Sequence, residues 1–326
     1  MSDDNTALYV GHDEPWREWR TAMAGARMHH GWILAGRRGV GKMPFAMAAA
    51  RELVAEPGVP QPAEHHPDII VLTHLPASAE DEKKRAEGKP YNTKRSIAVD
   101  QIREMQRRLN TRPTLGRNRA IIVDPADDLE KPSANALLKS LEEPPQGTFF
   151  LLIAHRPGRL LATIRSRCRM LRFPALDDTE IDAILSREVP QADAETRAAA
   201  IAAAGGSPGA ALDFVELDLG RIYALMRRIV SEGDPHFALR GELAEAMGQR
   251  PARERQFAVL DLARGVLRRA AQTSAGEVIP SLVQAHAALV QLTAQTPTYN
   301  FDSGLLMAEI GNLLASASMP REAANG

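Results

Sequence analysis

The sequence has very little cysteine. Cys168 is the only one among 326 residues, so no disulfide can form within the chain. One thiol also excludes a four-cysteine zinc site, and His65, His66 and Asp68 lack the spaced partners that another zinc site needs. We therefore expect no metal site and no zinc. This cysteine usage is typical of a reducing cytoplasm.

Long apolar runs and an excess of charge are also missing. No stretch approaches the roughly 18 apolar residues of a membrane span, and residues 1–4 have no signal-peptide character. We expect a cytoplasmic protein with no membrane partner. The 40 basic and 41 acidic residues leave a formal net charge of −1, which argues against electrostatic binding of nucleic acid by the whole chain, although a local basic face stays open.

Alternating apolar strands and helices are present up to about residue 175. Continuous apolar runs indicate parallel strands that are covered on both faces. The predicted strands are 32–35, 68–72, 121–124 and 149–154, and the predicted helices between or after them are 42–53, 99–109, 133–141 and 159–164. This pattern predicts an α/β domain with a parallel sheet and helices on both faces.

Strand signals stop after residue 177, and the rest of the chain has helical spacing of apolar residues. We therefore predict three domains, with bounds 1–175, 176–220 and 221–326. Within the first, residues 77–95 are charged and lack any apolar period, so we predict an exposed insertion or a flexible loop there.

Residues 36–43, GRRGVGKM, fit the P-loop pattern G-x-x-x-x-G-K-[ST] everywhere except at the last position. The candidate phosphate-facing residues are Gly36, Gly39, Gly41 and Lys42. Backbone N–H groups at such a turn can converge on phosphate, but Met43 cannot place a hard oxygen on magnesium. The motif leaves two interpretations open: a degenerate nucleotide site without metal, or a turn that binds nothing.

Asp124 ends an apolar strand and could assist a metal ion, as a Walker B carboxylate does. Pro125 follows where a carboxylate would orient the attacking water, and it has neither a charge nor an N–H. Asp127 and Asp128 lie two and three residues beyond that position in the chain. We interpret them as turn residues that cap the following segment. Asp124 alone is not enough for hydrolysis.

Two more positions lack the groups of an ATPase. His155 stands at a strand end, where a nucleotide sensor presents threonine, serine or asparagine, and we expect this histidine to be solvated. Residues 206–209, Gly-Ser-Pro-Gly, have no arginine. With Met43 and Pro125, four independent positions fail in the same direction, which predicts that the chain does not hydrolyse ATP.

Arg167, in Ser166-Arg167-Cys168, is a candidate for phosphate chemistry of another kind. An arginine supplied in trans can stabilise the charge on a transferring phosphoryl group. A surface salt bridge in an arginine-rich stretch explains the same residue equally well. The spacing does not choose between them. Cys168 has apolar neighbours, which indicates a packed rather than a reactive thiol.

Residues 134–145, ANALLKSLEEPP, resemble bacterial clamp-loader AAA+ subunits. The segments 30–34, 66–68 and 97–103 also fit that family, and 166–168 follows at the expected distance. The resemblance implies an AAA+ module, a small helical lid at 176–220 and an all-helical collar at 221–326 for oligomerisation. Many members carry a four-cysteine zinc module after the P-loop helix, and this chain cannot.

The degraded P-loop further resembles the non-hydrolysing stator of the DNA polymerase III clamp loader. By that resemblance Arg167 would be an arginine finger acting in trans, framed by Ser166 and Cys168, in a complex that loads a sliding clamp in DNA replication. The implied partners are motor subunits (tau/gamma) and a delta subunit in a heteropentameric ring, with the sliding clamp and primed DNA through the complex. The chain would belong to the polymerase holoenzyme while lacking ATPase and polymerase activity itself.

Three other functions remain to be weighed. An active motor subunit of the same loader conflicts with Met43 and Pro125. A P-loop kinase needs magnesium ligation and leaves residues 134–145 unexplained. Sequence-specific DNA binding is not indicated, because the sequence has no helix-turn-helix or zinc-finger pattern.

Overall fold

The structure, a computed structural model, describes residues 11–25, 27–89, 91–248, 251–276, 278–295 and 302–318. The chain divides into two compact units, 1–175 and 176–326. The lid and the collar expected from the sequence both fall within the second unit, and the division into three domains stays a prediction.

The first unit is an α/β domain. Its strands are β1 (Gly31–Ala35), β2 (Ile69–Leu72), β3 (Arg119–Val123), β4 (Thr148–Ala154) and β5 (Arg169–Arg172). Its helices are α1 (Asp13–Ala24), α2 (Lys42–Val54), α3 (Ala79–Ala86), α4 (Val99–Leu109), α5 (Lys131–Glu142) and α6 (Ala162–Arg165). The strands form one sheet in the order β2-β3-β4-β1-β5, with every neighbouring pair parallel.

Both faces of this sheet are covered, which is why its inner strands are apolar apart from Arg119 and Thr148 at their first positions. Alternate residues of β4 point to opposite faces. Phe150 and Leu152 pack in one buried cluster with residues of α4 and α5, while Leu151 and Ile153 pack in a second cluster with residues of α1 and α2. Each fully buried side chain of this size contributes roughly 1.5–3 kcal/mol. The predicted fold class is confirmed.

The edge strand β5 was not predicted from the sequence. It reads RMLR, and of its four residues only Leu171 is buried. The strand pairs with β1 alone, so its arginines can reach solvent. Charged side chains are a common way to protect an edge strand from pairing with other molecules. The predicted helix at 159–164 is the single turn α6, preceded by a 3₁₀ turn at Pro157–Arg159.

Residues 77–95 are mostly exposed, as predicted, but the alternative of a flexible loop is wrong for the part in which α3 forms. The Ser78 hydroxyl caps α3 by accepting the Asp81 N–H at 3.1 Å, and Lys84 pairs with Glu80 one turn away. The Asp81 carboxylate also accepts the Asn92 N–H at 2.9 Å, which ties the returning chain to the helix. These local contacts order a segment that has no apolar face.

The second unit is helical in all its described residues. Its helices are α7 (Asp178–Glu188), α8 (Ala194–Ala204), α9 (Pro208–Glu216), α10 (Gly220–Glu232), α11 (Ala238–Met247), α12 (Arg253–Thr273), α13 (Val278–Gln295) and α14 (Ser303–Ser318). Over the ranges described in both units, no helix combines the length and the apolar character needed to cross a bilayer.

Candidate functional site

The carboxyl ends of the parallel strands lie at one edge of the sheet, called here the carboxyl edge. Gly36 follows β1, Asp124 follows β3 and His155 follows β4. This is where ligands bind in open α/β sheets. Lys42 opens α2 at the same edge and interacts electrostatically with Asp124. The fold therefore brings together the residues of the candidate nucleotide site.

The P-loop turn needs its glycines. Gly39 and Gly41 have backbone φ angles of 77° and 95°, which residues other than glycine rarely adopt. A Cβ at Gly41 would lie 2.9 Å from Nε2 of His12. That nitrogen donates to the Val40 carbonyl at 2.6 Å. His12, the residue that precedes α1, therefore holds the loop in place. No sequence signal distinguished His12.

Lys42 is turned back onto its own loop. Its side chain is buried, and Nζ donates to the carbonyls of Gly36, at 2.7 Å, and Arg37. Burial lowers the pKa of Lys42 to about 8, although the carboxylates of Asp124 and Asp127 oppose that shift. The residue after it, Met43, packs against the apolar cluster between α2 and the sheet.

Asp124 is partly buried. Burial raises the pKa of its carboxyl above the ordinary value, and the nearby positive charge of Lys42 partly offsets this. Pro125 follows it with no ionisable group. The carboxyl edge therefore holds a cation and an anion whose charged forms are both disfavoured by desolvation.

Asp127 does not cap the following segment, contrary to prediction. A 3₁₀ turn at Ala126–Asp128 directs its carboxylate, with the side chain 1% exposed, toward the end of β4. There it accepts the backbone N–H groups of His155, at 2.9 Å, and Arg156, at 3.1 Å. Asp128 lies 3.4 Å from His74 instead. The tertiary contact with β4 determines Asp127's role.

His155 is half-buried rather than solvated, so that prediction is also wrong. Burial lowers its pKa to about 4, and the positive charge of Lys42 adds to the shift. The imidazole is therefore neutral at pH 7. Its Nδ1 is buried without a hydrogen-bond partner among the described residues.

The carboxyl edge does not fit magnesium-bound nucleotide well. Met43 faces the apolar cluster, Pro125 has no carboxylate, and His155 is neutral. Magnesium prefers oxygen ligands in a near-octahedral arrangement. In the part of the chain that is described, no three His, Cys, Asp or Glu side chains are grouped so that they could hold a metal ion. The positive charge that remains at this edge comes from Lys42 and from Arg38, both of which act electrostatically on Asp124 and His155.

Ser166, Arg167 and Cys168 lie at the opposite edge of the sheet, called here the amino edge. They immediately precede β5, whose Arg169 is paired with Trp32 near the start of β1. A five-residue strand such as β1 spans about 16 Å. Arg167 is thus separated from the P-loop of its own chain by roughly the length of a strand.

Arg167 is partly exposed and held by two neighbouring helices. Its Nη2 lies 2.8 Å from Oε1 of Glu142, the last residue of α5, and its Nη1 donates to the Thr163 carbonyl of α6 at 3.1 Å. The Ser166 hydroxyl is 3.4 Å from Nη1. The surface salt bridge considered from the sequence is present, which does not by itself exclude a functional role.

Cys168 is partly buried beside the start of β1. A Cβ built on Gly31 would lie 2.9 Å from its Sγ and 3.1 Å from the Arg167 carbonyl. Burial raises the pKa of the Cys168 thiol to about 12. Gly31 therefore lets the segment that carries Arg167 pass close to the sheet, a requirement that sequence reasoning missed.

A parallel sheet in the order β2-β3-β4-β1-β5, with a P-loop-like turn after β1, defines the fold of a P-loop protein. The family described as DNA polymerase III, delta subunit, matches residues 11–177, just over half of the chain, and the chain belongs to this family.

Curated relatives include two proteins called DNA polymerase III subunit delta'. The one from Pseudomonas aeruginosa is 31% identical over 208 residues, 60% of this chain and 58% of the relative. The one from Escherichia coli is 33% identical over 208 residues, 59% and 56% of the two chains. A tau/gamma subunit from Haemophilus influenzae is 32% identical over 51% of this chain and 23% of its own. The match spans less than two thirds of these relatives.

Among solved structures, a DNA polymerase III gamma subunit-related protein from Thermotoga maritima is similar in fold. It aligns with a TM-score of 0.52 and 18% identity, over 94% of this chain and 100% of the other. At that identity the likeness concerns the fold alone, and it agrees with the parallel sheet and the helical second unit.

Proposed function

We propose that this chain is a non-hydrolysing stator subunit of a DNA polymerase III clamp loader, and that it supplies Arg167 in trans to the ATP site of a neighbouring motor subunit. Its partners would be tau/gamma motor subunits and a delta subunit in a heteropentameric ring. Through that complex it would act on a sliding clamp and primed DNA during replication.

The position of Arg167 carries this proposal. The arginine lies at the amino edge, about a strand's length from its own P-loop, so any nucleotide that it contacts must belong to another molecule. Its side chain is 37% exposed, and its backbone is held beside the sheet. A fixed, accessible guanidinium is suited to stabilise the charge that develops on a transferring phosphoryl group.

The state of the carboxyl edge supports the non-hydrolysing part of the proposal. Met43 offers no ligand to magnesium, Pro125 cannot orient water, and His155 carries no charge at pH 7. Magnesium and a positioned water are both needed for phosphoryl transfer to water in P-loop enzymes. Nucleotide held here would therefore lack the groups for its own hydrolysis.

An active motor subunit is the second candidate. It is favoured by Lys42 and the three P-loop glycines, and by the similarity to tau/gamma subunits. The missing magnesium ligand at Met43 and the missing carboxylate at Pro125 weigh against an active motor. A lysine and loop amides can hold phosphate, but they do not activate the attacking water.

Hydrolysis measured for the chain alone and in the reconstituted loader separates the two candidates. We expect negligible turnover by the chain alone, with or without DNA. In the loader, Arg167→Ala should slow hydrolysis at the adjoining motor site by about 10³-fold. Arg172→Ala, an exposed arginine at the other end of β5, is the matched control and should leave the rate unchanged.

Robust turnover by the chain alone that disappears with Lys42→Met would contradict the stator role. An unchanged loader rate with Arg167→Ala, in protein that melts like the wild type, would remove the arginine from the mechanism.

A further inference from the structure

We propose that Glu142 is a positioning residue for Arg167: its carboxylate holds the guanidinium in the orientation in which it meets the neighbouring nucleotide. This inference rests on the proposed function and names a residue, from a different helix, on which the arginine's action depends.

The contacts around Arg167 hold the guanidinium from two sides. Glu142 binds Nη2 at 2.8 Å, and the Thr163 carbonyl accepts from Nη1 at 3.1 Å. Among the described residues, none accepts a hydrogen bond from Nε. An arginine has five N–H donors in a fixed planar array. The two contacts fix the plane of the guanidinium at its terminal nitrogens. Other N–H donors of Arg167 therefore remain for an acceptor outside the chain.

Glu142 is itself on a rigid support. It follows Leu141, which is 1% exposed and packs in the cluster between α5 and the sheet. The Leu141 carbonyl accepts from Nε2 of His30 at 2.8 Å, so the end of α5 is tied to the residue that precedes β1. The carbonyl of Arg167 faces Gly31 at the same place. Both partners of the ion pair are thus held against the start of β1.

A pre-formed ion pair matters because an arginine side chain has many rotamers. A catalytic group that is already oriented need not be ordered in the transition state, and this raises the rate of the chemical step. The pair is partly exposed, with 37% of the Arg167 and 48% of the Glu142 side chain accessible. Exposed pairs are weak, so we expect removal of the carboxylate to slow hydrolysis by about threefold to fivefold.

The test uses Glu142→Gln in the loader reconstituted with its motor subunits. Glutamine keeps the length and shape of the side chain but removes its charge. We expect kcat for DNA-stimulated ATP hydrolysis to fall about threefold to fivefold, with an unchanged KM for ATP and unchanged assembly. Glu143→Gln is the matched control: this neighbouring carboxylate is exposed and has no ion pair in the described structure. It should behave as the wild type.

A double-mutant cycle distinguishes positioning from a structural role. If Glu142 acts through the arginine, Glu142→Gln should have no further effect when Arg167→Ala is already present. Equal slowing in both backgrounds would overturn the inference, because it would show that Glu142 acts elsewhere. A rate increase with Glu142→Gln would also overturn it, because the carboxylate would then restrain the arginine.

The two proposals fail differently. A slow Arg167→Ala loader beside a wild-type rate for Glu142→Gln would overturn only the positioning role. An unaffected Arg167→Ala loader would overturn the proposed function, and the positioning role with it.

Discussion

The two edges of the sheet hold charged side chains in opposite surroundings. At the carboxyl edge, burial shifts the pKa of Lys42 to about 8 and that of His155 to about 4, and it raises the pKa of Asp124. At the amino edge, Arg167 and Glu142 form a partly exposed ion pair. Desolvation disfavours charge, so the carboxyl edge is poorly suited to a highly charged metal–nucleotide complex, whereas the amino edge leaves the guanidinium of Arg167 partly accessible.

The comparison also bears on assembly. A nucleotide site at one edge and an arginine at the opposite edge cannot meet within one sheet, because the strands keep them apart. They can meet between molecules that contact each other head to tail. Head-to-tail contacts produce rings when the rotation closes. The proposed arginine finger therefore requires a head-to-tail contact with another subunit, such as the ring of the proposed function provides.

The largest expected effect is the contrast between the two edges in the assembled loader. Arg167→Ala should slow hydrolysis by the adjoining subunit about 10³-fold, while Lys42→Met, which keeps the length of a buried side chain, should leave that hydrolysis unchanged. Single-turnover hydrolysis in loaders that contain each variant measures both. Similar slowing by the two substitutions would show that the carboxyl edge of this chain also contributes to hydrolysis.

The partly buried thiol of Cys168 at the amino edge gives the next effect. The pKa of Cys168 is raised to about 12, against about 8.5 for a free thiol. At pH 8 its thiolate fraction, and with it the rate of alkylation by iodoacetamide, should therefore be about 10³-fold lower than that of the urea-unfolded chain. Equal rates in the folded and unfolded protein would show that the segment beside Gly31 opens readily.

Asp127→Ala tests how the carboxyl edge is built. It removes the acceptor of two backbone N–H groups, those of His155 and Arg156, and should lower the free energy of unfolding by about 2–4 kcal/mol. Asp128→Ala is the control, since its more exposed carboxylate forms an ion pair with His74 alone among the described residues, and the substitution should cost no more than about 1 kcal/mol. Urea denaturation compares them; equal costs would contradict Asp127's tie to β4.

Gly31→Ala tests the close approach at the amino edge. The new methyl would meet Sγ of Cys168 and the carbonyl of Arg167 at 2.9 and 3.1 Å, so we expect a loss of about 1–3 kcal/mol of stability and slower hydrolysis in the loader. Gly158→Ala, where a Cβ meets nothing within 4 Å, is the control. Thermal melting of the two variants would reveal whether the contact is as tight as described.

The smallest effect concerns pH. His155 binds a proton near pH 6.5 when unfolded but only near pH 4 when folded. The unfolded state therefore binds more protons between these values, and stability should fall as the pH falls from about 6.5 to 4. His155→Gln should weaken that slope. Urea midpoints at several pH values test this; an unaltered slope would show that His155 does not contribute to it.

Sequence reasoning located the apolar inner strands, α2 and α4 because burial on both faces and helical periodicity are visible in short stretches. It found the edge strand β2, which is apolar throughout, but missed the other edge strand, β5, because only Leu171 of its four residues is buried and two of them are arginines. It predicted the exposure of residues 77–95 but missed α3 within them, because capping and ion pairs, rather than an apolar face, form that helix. Such local contacts depend on geometry that composition does not report.

The sequence by itself determined the absence of a metal ligand at Met43 and of a carboxylate at Pro125, because the chemistry of a side chain does not depend on the fold. Only the tertiary structure decided that Arg167 lies at the edge opposite Lys42 and pairs with Glu142. It also decided that His155 is neutral beside Lys42. These facts depend on which ends of which elements meet and on how much water they exclude.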